Sequence, residues 1–367
     1  MILSTMKERL DKMEIYRCFL LPCTSLCDYY KEVMRVIQYI GVLLFFFLVS
    51  CEKNDVEPQK TRTLMVYLAG DNNLSGHMQK NISSMMSAWK ESYNANIVIY
   101  FDAPNAAPEL YTFRFKGKEV EKQVLKTYEE MDSADPEVLK KILNEMQDLY
   151  PSDSYGLILG SHASGWIPSG ASGRSNRMLH AEPVLTRSFG KDYTGSNEMD
   201  TRDMAKAIPF NKENLEFILF DACLMSSIEV LYDLRDKAKY VIASPAELPA
   251  PGFPYARVMP YFWGKGKDLE KDLVKVCDEF WDYYNTYNAT NRFGTIALIK
   301  MDEMEHLFDL TREVLQGQKE NVATIKQNAV YCYPMVEYTK HDRFFDLGEY
   351  MKYMTEDREG LYKEYRD

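Results

Sequence analysis

From Thr61 onward, short apolar runs alternate with longer amphipathic stretches, the pattern of strands joined by helices in a parallel sheet. The runs TLMVYLA (63–69), NIVIYFD (96–102), YGLILGS (155–161), LEFILFD (215–221), YVIAS (240–244) and GTIALIK (294–300) are rich in Val, Ile, Leu and Phe without strict alternation. Strands covered on both faces read this way, because neither face meets water. Between them, spacing predicts helices over 72–90 and 135–149. The second opens on Asp135-Pro136-Glu137, which supplies a cap, a proline at the first helical position and an acidic first turn. Residues 268–287 and 301–325 read as longer peripheral helices, and LMSSIEVLYDL, from Leu224, as a helix following the fourth run. The expected fold class is α/β with a mainly parallel central sheet.

Two segments break the pattern. Residues 36–49, VIQYIGVLLFFFLV, form a 14-residue apolar run. That is shorter than the roughly 20 residues that span a bilayer, and it has the length of a signal-peptide hydrophobic region. Met34-Arg35 precede it, and Leu48-Val49-Ser50-Cys51 and the polar stretch EKNDVEPQKT follow it. The arrangement resembles a bacterial lipoprotein signal, which implies a lipidated Cys51 as the first mature residue. The chain would then sit in the cell envelope outside the cytoplasm, at the outer membrane, held by acyl chains that bury methylenes at about 0.8 kcal/mol each. Since signals begin near a chain start, translation is expected at Met34. Residues 1–33 then form an upstream extension, 34–50 the signal, 51–60 a linker and 61–367 one large domain. The second break is 167–198, rich in Gly, Ser and basic residues and weak in periodicity. A long loop of this kind in a compact domain usually has a function.

Composition narrows the function. A net charge of -11 with acidic and basic residues interspersed leaves no basic stripe for a phosphate backbone, so nucleic acid is excluded as a partner. The acidic balance weakly favours cationic substrates. The seven cysteines, at 18, 23, 27, 51, 223, 277 and 332, form no CxxC pair, and no histidine spacing suits zinc, so neither a structural metal nor a disulfide framework is expected. The GxSxG and HExxH patterns of serine and metal hydrolases are absent.

In open parallel sheets, ligands bind beyond the carboxyl ends of the strands. Here those ends carry Gly70-Asp71-Asn72, Asp102, Ser161-His162, Asp221-Ala222-Cys223 and Ser244-Pro245-Ala246-Glu247. One histidine and one cysteine therefore project onto one rim. A thiol with a pKa of about 8.5 is largely protonated at neutral pH, so a neighbouring histidine and a helix amino end are useful activators. A lone cysteine at a strand end is more often a small apolar filler; its joint placement with His162 favours catalysis. Cys277 and Cys332 lack such a setting.

The segments YLAGDNNL (67–74), GLILGSHASGW (156–166), FILFDACLMSSIEVLYDL (217–234) and YVIASPAELPAPGFPY (240–255) resemble the clostripain-like cysteine peptidases, of the wider group that contains caspases, gingipains and legumains. The resemblance implies a caspase-like three-layer sandwich with helices on both faces of the sheet. It also implies an endopeptidase that cleaves protein or peptide substrates after basic residues, arginine or lysine. Carried over, Cys223 is the nucleophile and His162 its proton-transfer partner. The backbone N–H groups of Ala163 and Cys223 are the oxyanion donors, and Asp221, with Glu247 as a second candidate, recognises the basic P1 side chain. The family has glycine where this chain has Ala163, which keeps the N–H but tolerates fewer backbone angles. Family members are often cut in the loop after the histidine, where Arg174, Arg177 and Arg187 offer sites for self-cleavage. Calcium is a property of some relatives, but no DxDxDG loop is present and no cofactor is expected. Family members continue with further sheet-forming sequence where this chain stops in a charged helical pattern, which implies C-terminal truncation. The competing reading is a surface lipoprotein that binds peptides or glycans on the same fold without catalysis.

Overall fold

The computed structural model describes residues 62–167, 189–195, 198–265, 267–287, 293–318, 330–333 and 344–355. All fall within the unit Gln59–Asp367. Eight strands form one sheet: β1 (Thr63–Ala69), β2 (Asn96–Ala103), β3 (Ala106–Lys116), β4 (Glu119–Thr127), β5 (Tyr155–Gly160), β6 (Leu215–Asp221), β7 (Tyr240–Ala243) and β8 (Ala297–Lys300), in the order β4-β3-β2-β1-β5-β6-β7-β8. The inner strands β2, β1, β5, β6 and β7 are parallel. The outer strands β3, β4 and β8 pair antiparallel.

Helices cover both faces, as the apolar strands require. On one face, α2 (Pro136–Leu149), α3 (Thr201–Ala207), α4 (Ile228–Leu234) and α7 (Met304–Gly317) close over Met65, Tyr67, Leu157, Leu159, Ile218 and Phe220. On the other, α1 (Ser75–Ala88), α5 (Tyr255–Val258) and α6 (Lys267–Tyr287) close over Leu64, Val66, Ile158, Phe217 and Leu219. Successive residues of β1 and β6 thus serve opposite cores, which is why neither strand shows an apolar-polar alternation. The short helix α8 (Leu347–Met354) packs Met351 and Met354 against Val314 of α7. Asp135 caps α2 as the sequence predicts, accepting from the Glu137 N–H at 2.8 Å.

The six expected strands are present, and the β3–β4 hairpin is an addition. Asn105, at φ 60°, turns β2 into β3, and Gly117, at φ 65°, turns β3 into β4. β4 is the sheet edge and is almost wholly exposed, so its sequence EVEKQVLKT carries charge in place of an apolar stripe. Three further expectations are corrected. The helix after β6 begins at Ile228, because residues 224–227 form a turn; the helix expected over 72–90 spans 75–88; and α7 starts three residues after Met301. Of the 167–198 segment, residues 189–195 are held in place: Phe189 is fully buried and bridges to both Ala163 and Met199.

Candidate active site

β1 is flanked by β2 on one side and β5 on the other, so chain direction across the sheet reverses there and opens a crevice beyond the strand ends. β5 and β6 lie next to it in parallel register, with Gly160 opposite Asp221. His162 and Cys223 each follow that matched pair by two residues. Strands in a sheet lie about 4.8 Å apart, so the two residues leave neighbouring strands side by side on one rim.

The histidine is positioned from the β1 exit. Asn72 is buried; its amide donates to the carbonyls of Ala69 and Lys191 at 2.9 and 2.8 Å and accepts from the Leu74 N–H at 2.9 Å. This fixes a turn that presents Asn73, whose Oδ1 lies 2.6 Å from His162 Nε2. An amide oxygen only accepts, so Nε2 carries the proton and Nδ1 is left with the lone pair. Ser161 donates to the Ala69 carbonyl at 2.8 Å and accepts from Lys191 N–H at 3.2 Å, and Gly190 N–H donates to the His162 carbonyl at 2.9 Å. The β1 exit, the β5 exit and residues 189–195 are thereby stitched together around the imidazole.

The cysteine sits at a sharp turn. Leu224 adopts φ 64°, a left-handed conformation costing a non-glycine residue roughly 1–2 kcal/mol. It is held there by its N–H bond to the Ala246 carbonyl (3.0 Å), by the Ser226 N–H bond to Ser244 (3.1 Å), and by burial of its side chain against Ile167 and Phe344. Gly165, at φ 63°, passes so close that a Cβ there would sit 2.5 Å from the Leu224 carbonyl oxygen. The sulfur of Cys223 lies 3.3 Å from the Leu248 backbone nitrogen and 3.9 Å from its carbonyl oxygen. The resting thiol can donate to the carbonyl, while the N–H is aimed at the sulfur and binds it more strongly when it carries charge. The activator next to the sulfur is thus the 244–252 loop, in place of the helix amino end expected from sequence, since α4 begins five residues further on.

Asp221, at the end of β6, points to the face of α1 and α5. It accepts from Tyr255 Oη at 2.9 Å and from Asn81 Nδ2 at 3.4 Å. Gly252, at φ 71°, crosses so close that a Cβ would meet both carboxylate oxygens at 2.5 Å. Burial raises the Asp221 carboxyl to about 6 against the opposing effect of the Tyr255 and Phe253 hydrogen bonds. Glu247 is half-buried and immediately precedes Leu248, on the loop that brackets the sulfur. Ala163 is absent from the residues with positive φ, so the replacement of the family's glycine brings no backbone strain. Cys277 lies on α6, where burial pushes its thiol up to about 12. Cys51, Arg174, Arg177 and Arg187 lie outside the described residues, within which no helix is long and apolar enough to cross a membrane.

Sequence reasoning missed Asn73 and Leu248. Asn73 lies inside the quoted YLAGDNNL segment, and its adjacency to the strand end was the available sign. Leu248 acts through its backbone, which no side-chain pattern announces. Sequence reasoning also named no metal ligands, whereas among the described residues one oxygen from each of Asp71, Glu130 and Asp192 lies within 4.8 Å of the others.

A mixed sheet between two helical layers, with a histidine and a cysteine leaving adjacent parallel strands at the carboxyl rim, defines a caspase-like α/β protein. The sequence profile of the clostripain family, Peptidase C11, matches residues 66–366, and the chain belongs to that family. Clostripain of Hathewaya histolytica is 29% identical over 254 residues, covering 62% of this chain and 47% of that protein, so the chain spans about half the length of this curated relative. An inactive zymogen C11 protease from Parabacteroides distasonis superposes with a TM-score of 0.70 at 30% identity, over 84% of this chain and 82% of its own. A secreted C11 cysteine protease from Bacteroides thetaiotaomicron, solved with an irreversible peptide inhibitor, gives 0.67 at 28% identity over 83% and 81%.

Proposed function

We propose that the protein is a cysteine endopeptidase that cleaves after basic residues, with Cys223 as nucleophile and His162 as its acid and base. The observation that carries this reading is the β5–β6 register, which sets the two residues side by side beyond Gly160 and Asp221. With Nε2 committed to Asn73, Nδ1 takes the thiol proton as sulfur attacks the scissile carbonyl. The negative oxygen of the tetrahedral intermediate is stabilised by the backbone N–H groups of Ala163 and Cys223, each donor of this kind contributing about 3–4 kcal/mol. The imidazolium then returns its proton to the leaving amine. Water, deprotonated by the same nitrogen, releases the acid product and restores the thiol. Asp221 pairs with the arginine or lysine of the substrate, with Glu247 as the second carboxylate.

Family membership, and the inhibitor-bound relative, support peptide substrates. The ordinary backbone angle at Ala163 removes the main reason for a binding protein without catalysis. On the same reading, the chain is a lipid-anchored envelope protein held through Cys51 and is cut by itself at Arg174, Arg177 or Arg187. Arginyl and lysyl fluorogenic peptides assayed against wild type and Cys223→Ala test the chemistry. Turnover by wild type alone, with a basic acyloxymethyl ketone captured on Cys223, is expected; equal turnover by both proteins excludes the nucleophile. Peptide mapping of the mature protein tests the anchor and the cuts.

A further inference from the structure

A cavity of about 990 Å³ lies on the face of the sheet opposite Asp221, enclosed by α4, β8, α7 and α8. Leu231, Ile299, Met304 and Leu307 line its base and belong to the core beneath those helices. Its near end reaches the nucleophile. Ile167 and Phe344 line the cavity, and the same two side chains pack with Leu224 in the cluster against which Cys223 rests. Trp166, also in the lining, has its ring 6.2 Å from that of Phe344 and is 39% exposed, so the indole stands where the cavity meets solvent.

One polar atom in this apolar lining is unsatisfied. The hydroxyl of Ser227, on the turn that leads into α4, is buried and has no hydrogen-bond partner among the described residues. Buried polar atoms are nearly always bonded, so this one is available to a group that enters from outside. The cavity is also at the upper end of the volumes in which proteins hold ligands, about 300–1,000 Å³. A single side chain does not fill it.

We infer that the cavity receives the leaving half of the substrate, taking large apolar side chains at P1′ and P3′. The inference rests on the peptidase reading, with the basic P1 side chain at Asp221. In an extended peptide, successive side chains point to opposite sides, and every second one shares a side. Asp221 faces α1 and α5, so a P1 side chain directed there sends P1′ and P3′ towards α4 and α7, where the cavity lies. Chemistry selects the leaving half over P2, which points the same way. The leaving nitrogen collects its proton from His162, so the chain beyond it departs over the loop that follows the histidine. Trp166 and Ile167 stand on that loop, four and five residues after His162. Two side chains, at P1′ and P3′, account for a volume too large for one.

The test uses the full chain and internally quenched peptides that share one acyl half ending in arginine and differ only in leucine or glycine at P1′ and P3′. Wild type is expected to favour the leucine peptide by about tenfold or more in kcat/KM, as burial of several methylenes allows. Trp166→Ala, at the mouth, and Thr311→Phe, which narrows the cavity from α7, are each expected to bring the leucine-to-glycine ratio down at least threefold. A merely structural defect lowers both peptides alike and leaves that ratio standing. Fluorescence anisotropy on the Cys223→Ala protein, which needs no turnover, is expected to show the leucine peptide bound at least fivefold more tightly. Cleavage of both peptides at equal rates overturns the subsite and leaves the proposed chemistry intact. A leucine preference that survives both cavity variants, or one found at P2 and not at P1′ or P3′, also overturns it. Tighter binding of the leucine peptide without turnover by wild type would support the cavity and refute the chemistry.

Discussion

Asn73 offers the sharpest test of how the imidazole is set for proton transfer. Its Oδ1 lies 2.6 Å from Nε2, a bond that selects the tautomer with Nδ1 unprotonated and, in the proposed mechanism, would stabilise the imidazolium formed when the thiol proton moves. A hydrogen bond to a charged group contributes about 1.5–3 kcal/mol, or about 10- to 150-fold in rate at 1.4 kcal/mol per decade. Asn73 is exposed, so water can partly replace a lost amide, and the lower end of that range applies. Asn73→Ala is therefore expected to lower kcat/KM on an arginyl peptide about tenfold, chiefly through kcat, with Tm close to wild type. Asn73→Asp keeps an acceptor and adds a negative charge beside the ring. It should retain most of the activity and move the histidine limb of the pH profile to higher pH. Steady-state kinetics across pH 5–9 on the three proteins, with thermal melts, decide the matter. The reasoning fails if Asn73→Ala stays within about twofold of wild type at every pH, or if Asp and Ala lose activity equally.

Three other outcomes follow from the same geometry. Asp221→Asn should lower kcat/KM on arginyl peptides by the roughly 2–5 kcal/mol of a desolvated charge pair and leave a citrullyl peptide within a few-fold; equal losses on both would refute charge recognition. Because burial raises the Asp221 carboxyl to about 6, it is ionised above that pH and neutral below it. The arginyl-to-citrullyl ratio in wild type should fall as pH drops through about 6 and stay flat in the Asn variant. For folding, the sign is opposite. The native carboxyl holds its proton more tightly than the unfolded one, so its contribution is complete below about pH 4 and lost as pH rises through about 6. Gly252→Ala forces a Cβ to 2.5 Å from both Asp221 oxygens at φ 71° and should cost about 1–3 kcal/mol by urea unfolding; an unchanged midpoint would contradict the packing. Iodoacetamide at pH 7.5 should modify Cys223 well before Cys277, whose thiol is pushed up to about 12 by burial, and peptide mapping reads the order.

The inner strands were legible because each is a run of apolar residues buried on both faces, and β1 is buried along its whole length. The β3–β4 hairpin was not, because an edge strand makes its hydrogen bonds on one side and keeps charged side chains in water. EVEKQVLKT therefore reads like a loop, and only Asn105 and Gly117 marked its turns. The shared rim of His162 and Cys223 could be anticipated because each closely follows a strong strand. The turn at Leu224 could not: the residues after Cys223 have helical periodicity, and the contacts that hold them out of a helix come from Ser244 and Ala246, which belong to the loop beyond the next strand. The carboxylates at 71, 130 and 192 make no local motif, since only the fold brings them together.

The two faces of the sheet divide the work. Along β6, Phe220 and Ala222 belong to the core under α2, α3 and α4, whereas Leu219 belongs to the opposite core, and Asp221 shares that side with Tyr255 and Asn81. The Asp221 carboxyl is therefore held by α1, α5 and the Gly252 loop, and the imidazole by the β1 exit and residues 189–195. The sulfur of Cys223 lies at a rim turn in which a buried leucine, Leu224, takes a left-handed angle. A strained turn persists only when its surroundings over-determine it. Here the Ala246 carbonyl, the close pass of Gly165 and the buried contacts with Ile167 and Phe344 do so from three separate segments. Placement of the sulfur thus depends on tertiary contacts that exist only once the sheet, the histidine loop and the 344–346 segment have come together.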